Sequence, residues 1–216
     1  SAAGFNLLFW LPERRKLTLP LCTAPLKSAI IGFAAGVLWL GIAAGVLFLT
    51  GTMHITGYQQ VPLLGLWILS ALLNTIMQEL LIRGYLYQLI KAQYSTAAAA
   101  IVTTALFTFL HGGALEAGII PTLNVVTMSL LMGLVLEYTQ CLLAPMVMHF
   151  LWNCIGGILL GGVSLAEDYP QLCLTEFTGP VLLSGGAPKM EGSIVVLLLN
   201  LLLIAVFAAL LKKRKQ

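Results

Sequence analysis

Residues 192–211 read GSIVVLLLNLLLIAVFAALL, twenty residues without a single charge. Four further charge-free stretches occur in the chain, and each has at least the roughly 20 residues that a helix needs to cross a bilayer. Only 9% of all residues are charged, against about 25% in an ordinary soluble domain. These patterns exclude a water-soluble monomer and predict a helical membrane protein. The other four stretches are residues 28–78, 92–115, 117–136 and 138–166.

The longest stretch divides in two, because the polar segment 51–60 followed by Pro62 is typical of a turn between two apolar runs. Apolar runs of this length argue against barrel strands, which alternate over shorter segments. The sequence therefore predicts one all-α, polytopic membrane domain at residues 28–211 with an intramembrane polar cavity. A cytoplasmic or interfacial segment, 1–27, precedes it, and a basic cytoplasmic tail, 212–216, follows it. The six predicted spans are residues 28–50, 62–90, 96–112, 119–138, 141–163 and 193–211.

The basic residues predict the orientation of the chain. They cluster before the first span, at the end of the second and after the sixth, and with six spans all three clusters lie on one side. Since basic residues favour the cytoplasmic side, we expect a multi-pass protein of the cell membrane with both termini in the cytoplasm. The acidic loop 164–192 is expected outside. The net charge of +3 is thus a topology signal, and the lipid bilayer, not a nucleic acid, is the expected partner. The basic clusters are Arg14, Arg15, Lys16 and Lys27; Arg83 and Lys91; and Lys212, Lys213, Arg214 and Lys215.

Ionisable side chains inside the predicted spans need a functional explanation, because each costs at least a few kcal/mol at bilayer depth. Glu79 and Arg83 lie four residues apart in the second span and can pair on one helical face. His111 ends the third span, and His149 shares one face of the fifth span with Asn153. At about 1.5 Å per residue, Glu79, both histidines and the asparagine lie roughly 12 to 22 Å deep. They can therefore form one site near the middle of the membrane.

The three segments resemble the motifs of the CAAX protease and bacteriocin-processing family, also called the ABI family of intramembrane proteases. The family pattern is E-E-x-x-x-R in one helix, F-x-x-x-H in the next and H-x-x-x-N in a later one. The resemblance covers about residues 62–163, and the ordered set of three motifs is much more specific than any one of them. The corresponding segments run from Gln78-Glu79 to Arg83, from Phe107 to His111, and from His149 to Asn153.

The resemblance implies a glutamate-type endopeptidase that works in a cavity within the membrane, without a cofactor or a bound metal. Its substrate would be a membrane-associated peptide or a lipid-anchored protein. A buried carboxylate near a histidine can take a proton from water, and His149 and Asn153 are suited to donate hydrogen bonds to the oxyanion. Arg83 would hold the carboxylate in place, and Phe107 would pack beneath His111.

A zinc site is the second interpretation, because two histidines and a carboxylate would supply the three protein ligands of a catalytic zinc. The spacing H-E-x-x-H is absent from the sequence, and the three groups come from separate helices. The expected metal is therefore none, and the geometry of the site decides between the two interpretations.

One residue departs from the family pattern: Gln78 stands where the family has the first glutamate of its pair. The resemblance implies that this carboxylate activates water, and an amide cannot accept that proton. Three explanations are open. The chain is an engineered, inactive form of an enzyme; Glu79 has taken over the role of the base; or the chain is a natural non-catalytic relative that binds peptide, for example in bacteriocin immunity.

Overall fold

Six apolar helices dominate the computed structural model of the chain, which describes residues 24–164 and 169–214. Four of them are long and apolar enough to cross a membrane, and two are shorter. The protein is therefore an all-α, polytopic membrane protein, as the sequence predicts. In chain order the helices are α1 (Pro25–Leu49), α2 (Leu64–Gln93), α3 (Thr96–Leu110), the short α4 (Gly112–Ala117), α5 (Ile119–Thr139), α6 (Leu143–Leu159), the short α7 (Val181–Ser184) and α8 (Ile194–Arg214).

The helices α3 and α6 are shorter than the predicted spans 96–112 and 141–163. At about 1.5 Å per residue they reach at most roughly 22 and 26 Å, less than the hydrocarbon thickness of about 30 Å. The α3 helix ends because His111 leaves the helical conformation, with φ −100° and ψ 50°. After α6 the chain turns at Gly161, which has φ +62°, and a Cβ there would lie 2.7 Å from a backbone carbonyl oxygen of β2 (Cys173–Phe177). Only glycine fits such a turn.

The boundaries of the first and last spans also differ from the prediction. The α1 helix begins at Pro25, within the predicted segment 1–27, and α8 continues to Arg214, within the predicted tail 212–216. Proline fits the first turn of a helix because the N–H that it lacks would have no partner there. Residues 1–23 of the predicted segment and the last two residues of the tail lie outside the described residues. The division into segment, domain and tail remains a prediction.

A two-stranded antiparallel sheet joins two of the connections between spans. The strand β1 (Met53–Tyr58) follows α1, and β2 lies in the long connection between α6 and α8. The sequence did not predict this sheet. Because the strands are hydrogen-bonded to each other, the α1–α2 and α6–α8 connections lie on the same side of the helices.

Polar contacts join the C-terminal ends of α2, α5 and α8. Lys91, near the end of α2, forms an ion pair with Glu137, near the end of α5, with Nζ and Oε1 2.5 Å apart. At the end of α8 the Arg214 guanidinium donates to the carbonyl oxygen of Tyr138. The ends of α2, α5 and α8 therefore lie on one side of the helices and the sheet on the other. That the Lys91 side faces the cytoplasm remains a prediction.

Glycine allows α1 and α6 to approach closely. A Cβ added at Gly32 would lie 2.4 Å from the carbonyl oxygen of Ala144, and one added at Gly36 would lie 2.9 Å from a leucine methyl of α6. Further along, the rings of Trp39 and Trp152 stack with their centroids 4.2 Å apart. Small residues four apart are a common means of close helix packing in membranes. This contact fixes the position of α6, which carries two of the predicted site residues.

We expect Gly32→Ala to lower the free energy of unfolding by about 1 to 3 kcal/mol, because the added methyl group overlaps a backbone carbonyl. Gly41→Ala is the matched control, since a Cβ at Gly41 would meet nothing within 4 Å. Thermal unfolding of both variants in the same detergent measures the difference. Equal unfolding midpoints for the two variants would contradict the close approach of α1 and α6.

Thiol labelling of intact cells tests the orientation. Cys173 is only 7% exposed, so the outer reporter is Glu176→Cys at an exposed position of β2, and the inner reporter is Lys213→Cys. The basic residues predict that an impermeant maleimide reaches Glu176→Cys at once and Lys213→Cys only after the cells are opened. Labelling of both reporters from outside, or the reverse pattern, would overturn the orientation.

Candidate active site

Glu79 is the centre of the polar contacts between α2 and α6. Its side chain is 0% exposed, and its Oε1 is bonded by two donors. Arg83 Nη1 lies at 2.8 Å, one turn further along α2, and His149 Nδ1 lies at 2.9 Å on α6. Since an ionised carboxylate only accepts hydrogen bonds, Nδ1 is the donor. The predicted pairing of Glu79 with Arg83 is confirmed, and the same carboxylate connects the second and fifth spans.

The guanidinium of Arg83 also contacts α3 and α5. Its Nη2 donates to Ser129 Oγ at 2.9 Å and to the Ser129 carbonyl oxygen at 3.4 Å. Its Cζ lies 4.4 Å from the centre of the Phe107 ring, and Thr104 Oγ1 is hydrogen-bonded to Ser129 Oγ at 3.2 Å. A cation buried among apolar helices needs such partners, because removing it from water is costly. Three helices thus meet around this one charge.

Both helices that carry the carboxylate and its histidine partner change to π-helical geometry at the site. In α2 the α-helical part ends at Glu79, and Leu80–Leu86 is π-helical. In α6 the α-helical part ends at Leu151, and Trp152–Leu159 is π-helical. π-helical turns are rare and occur frequently at functional sites. The sequence did not reveal them, because a continuous apolar run has no period that would show the wider turn.

The helices α2 and α6 run antiparallel at the site, with polar contacts one turn apart. The first is the bond between Glu79 and His149. In the second, Asn153 Nδ2 donates to Thr75 Oγ1 at 3.4 Å, and both side chains are buried. His149 and Asn153 therefore share the face of α6 that contacts α2, as their spacing of four residues predicts.

Gln78 and His111 line a cavity of about 320 Å³ between α2 and α3. The Gln78 amide donates from Nε2 to Asn74 Oδ1 at 3.3 Å, while its buried Oε1 has no partner in the part of the chain that the structure describes. His111 Nδ1 lies 2.8 Å from the carbonyl oxygen of Phe107. Because a carbonyl only accepts, Nδ1 carries the proton, and Nε2 is the basic nitrogen of the neutral ring. The remaining lining residues are Asn74, Met77, Leu81, Ile82, Phe107 and Leu110.

The ring of Phe107 lies against both histidines of the candidate site. Its centroid lies 4.2 Å from that of His111 and 6.0 Å from that of His149. The same ring packs on Arg83 and lines the cavity. The expected packing of Phe107 against His111 is confirmed, and this ring links the cavity to the buried ion pair.

The structure divides the six predicted site residues into two groups. Gln78 and His111 line the cavity. The other four are at most 1% exposed and lie beside it. Three of them lie in the contact between α2 and α6, and the guanidinium of Arg83 extends to α3 and α5. The sequence did not reveal their hydroxyl partners, because single serine and threonine residues are common in membrane helices and no spacing distinguishes these. The four buried residues are Glu79, Arg83, His149 and Asn153, and the partners that were missed are Thr75, Thr104 and Ser129.

Within residues 24–164 and 169–214, no three His, Cys, Asp or Glu side chains come together in a way that could hold a metal ion. His149 Nδ1 is bonded to Glu79, and His111 Nδ1 to a backbone carbonyl. The described residues therefore provide no ligand set for the zinc interpretation.

Residues 59–155 match the family described as type II CAAX prenyl endopeptidase, Rce1-like. This stretch, a little under half of the chain, matches the CAAX protease family that the three motifs resemble. The match extends from just before α2 into the π-helical part of α6 and contains all six predicted site residues. At family level, the match supports a CAAX-type intramembrane endopeptidase, and the family implies a membrane-associated peptide or protein as substrate. Comparisons with curated proteins and with solved structures find no match.

We expect Arg83→Gln to lower the free energy of unfolding by about 3 to 5 kcal/mol, because it leaves the Glu79 carboxylate buried without its cation. Lys91→Gln removes the same charge from the partly exposed ion pair with Glu137, and it should cost about 1 kcal/mol or less. Thermal unfolding in detergent compares the two variants. Equal losses would mean that the buried pair contributes no more than a surface pair.

Proposed function

We propose that this chain has the scaffold of a glutamate-type intramembrane endopeptidase, and that position 78 is the position of its catalytic base. One observation carries the proposal: Gln78 and His111 line the same cavity, whereas Glu79 is buried beside it. A carboxylate at position 78 would share that cavity with an imidazole. This pair can take a proton from water and return it to a leaving group.

Glu79 acts as a positioning residue in this proposal. Its Oε1 accepts bonds from Arg83 and His149, and the side chain has no exposed surface. A proton taken up by Glu79 would leave the guanidinium of Arg83 buried without its anion, which is strongly unfavourable. The explanation in which Glu79 replaces the missing base is therefore disfavoured.

With a glutamate at position 78, hydrolysis would proceed by attack of water on the peptide carbonyl. The carboxylate at position 78 takes one proton from water while the water oxygen bonds to the peptide carbonyl carbon, and the carbonyl oxygen becomes an oxyanion. The proton then passes to the leaving nitrogen, the C–N bond breaks, and a carboxylic acid and an amine are released. His111, whose Nε2 can bind a proton, would orient the water or carry the proton to the nitrogen.

His149 and Asn153 are the proposed oxyanion donors. Both are buried against α2, so the substrate carbonyl must enter next to that contact. A doubly protonated His149 would donate Nδ1–H to Glu79 and keep Nε2–H for the oxyanion. The bond from Asn153 to Thr75 is long, at 3.4 Å, and can be exchanged for a shorter one. A preorganised donor of this kind typically lowers the activation free energy by about 3 kcal/mol.

The walls of the cavity favour a substrate that is already in the membrane. Met77, Leu81 and Ile82 line it together with Leu110, which is 58% exposed. A peptide segment of a membrane-associated or lipid-anchored protein can place its apolar side chains against these walls. The polar groups of Gln78 and His111 would then face the peptide bond.

A non-catalytic, peptide-binding role is the second candidate, and Gln78 itself favours it. An amide cannot take the proton of water, but its oxygen accepts hydrogen bonds. The buried Gln78 Oε1 has no partner within the described ranges, so a bound peptide N–H would satisfy it. In this role, for example in bacteriocin immunity, the bound peptide would stay intact.

Gln78→Glu separates the two candidates. The two side chains are nearly isosteric, so the substitution supplies a base with little change of shape. Cleavage of a membrane-anchored peptide, followed by mass spectrometry of the products, should rise by about 10²-fold to 10⁴-fold. His111→Ala in the same background should abolish the gain, whereas His54→Ala, at an exposed position of β1, should not.

Equal cleavage by the unsubstituted chain and by Gln78→Glu would move the base to Glu79 and overturn the role of position 78. If both forms bind the peptide and neither cleaves it, the non-catalytic candidate is favoured. Loss of cleavage on addition of a chelator would favour the zinc interpretation.

A further inference from the structure

A second cavity, on the Lys91 side of the helices, shares no lining residue with the candidate active site. Its volume is about 470 Å³, and it is bounded by the beginning of α1 and the ends of α5 and α8. Three basic residues line it, together with three hydroxyl-bearing residues and one amide. These polar residues are Lys27, Lys213 and Arg214, and Ser28, Tyr138, Thr139 and Gln140.

The described residues do not neutralise the positive charge of this basic cavity. Lys27 and Lys213 make no ion pair within residues 24–164 and 169–214. Glu137, in the last turn of α5, is bonded by Lys91, and Arg214 donates to a neutral carbonyl. Three cations around one cavity repel each other unless an anion lies between them. The cavity therefore favours a negatively charged ligand.

The size and walls of the basic cavity suit a phosphate group with an apolar attachment. A volume of this size corresponds to roughly 15 water molecules at about 30 Å³ each, which leaves room for a phosphate and a glycerol unit. Ile31 and Leu210 add apolar surface to the wall. Basic pockets between the cytoplasmic ends of membrane helices commonly bind the headgroups of anionic lipids.

We propose that this cavity binds the phosphate-bearing headgroup of an anionic phospholipid from the leaflet on the Lys91 side, and that the lipid joins α1, α5 and α8. The proposal does not depend on the peptidase activity. A charge that only orients the chain in the membrane would act from any position near the end of the helix. A binding site requires instead the particular charges that line the cavity.

Lys212 and Lys213 provide a matched comparison, because they are adjacent and exposed on α8 and only Lys213 lines the cavity. The purified full chain in neutral detergent is titrated with phosphatidylglycerol, phosphatidylcholine or inorganic phosphate, and bound molecules are counted by native mass spectrometry. One phosphatidylglycerol should bind in preference to phosphatidylcholine. Lys27→Gln and Lys213→Gln should each weaken its binding about fivefold, and Lys212→Gln should change it by less than about twofold.

Unfolding midpoints without lipid are measured for every variant, so that weaker binding is not confused with loss of the fold. Equal weakening by Lys212→Gln and Lys213→Gln, or equal binding of the two lipids, would overturn the proposal. Saturable binding of inorganic phosphate without any preference for phosphatidylglycerol would overturn the lipid assignment in favour of a soluble phosphate.

Discussion

The bond network of the Glu79 carboxylate determines the arrangement of the candidate site. A charge at this depth is tolerated only with close partners, and Arg83 and His149 supply them at 2.8 and 2.9 Å. Through these partners one carboxylate fixes α2 against α6 and, by way of Arg83, against α3 and α5. Successive residues of an α-helix point about 100° apart. With Glu79 directed at α6, its neighbour Gln78 is turned towards α3, where it meets His111 in the cavity.

The rest of the fold holds these helices in place. Glycines of α1 bring that helix against α6, and the Phe107 ring lies against Arg83, His111 and His149. On the sheet side, a buried amide connects α8 with α5: Asn200 Nδ2 donates to Thr127 Oγ1 at 2.9 Å. Polar groups thus connect the helices at several depths, which suits a membrane, where apolar contact between helices gains little over contact with lipid.

The sequence predicts the all-α membrane architecture, because charge-free runs of about twenty residues have few alternatives to a membrane helix. Four of the six predicted spans correspond to helices that are long and apolar enough to cross a membrane. The sequence also predicts the pairing of Glu79 with Arg83 and the shared face of His149 and Asn153, since spacing along one helix determines both. The sequence does not predict the contacts between helices. The hydroxyl of Ser129 that bonds Arg83, the π-helical turns and the orientation of position 78 depend on how helices far apart in the chain pack together. The sheet was missed because β1 and β2 pair across more than a hundred residues.

Position 78 lines the cavity that is proposed to receive the peptide, whereas Glu79 and its partners are buried beside it. The most direct test is the rate at which a small thiol reagent modifies Gln78→Cys, compared with Thr75→Cys, one turn away on α2 with a side chain that is 0% exposed. Relative to the unsubstituted chain, Gln78→Cys should react and should be protected by a membrane-anchored peptide, while Thr75→Cys should stay unmodified. Equal rates at the two positions, or no protection at position 78, would contradict the assignment of this cavity as the site.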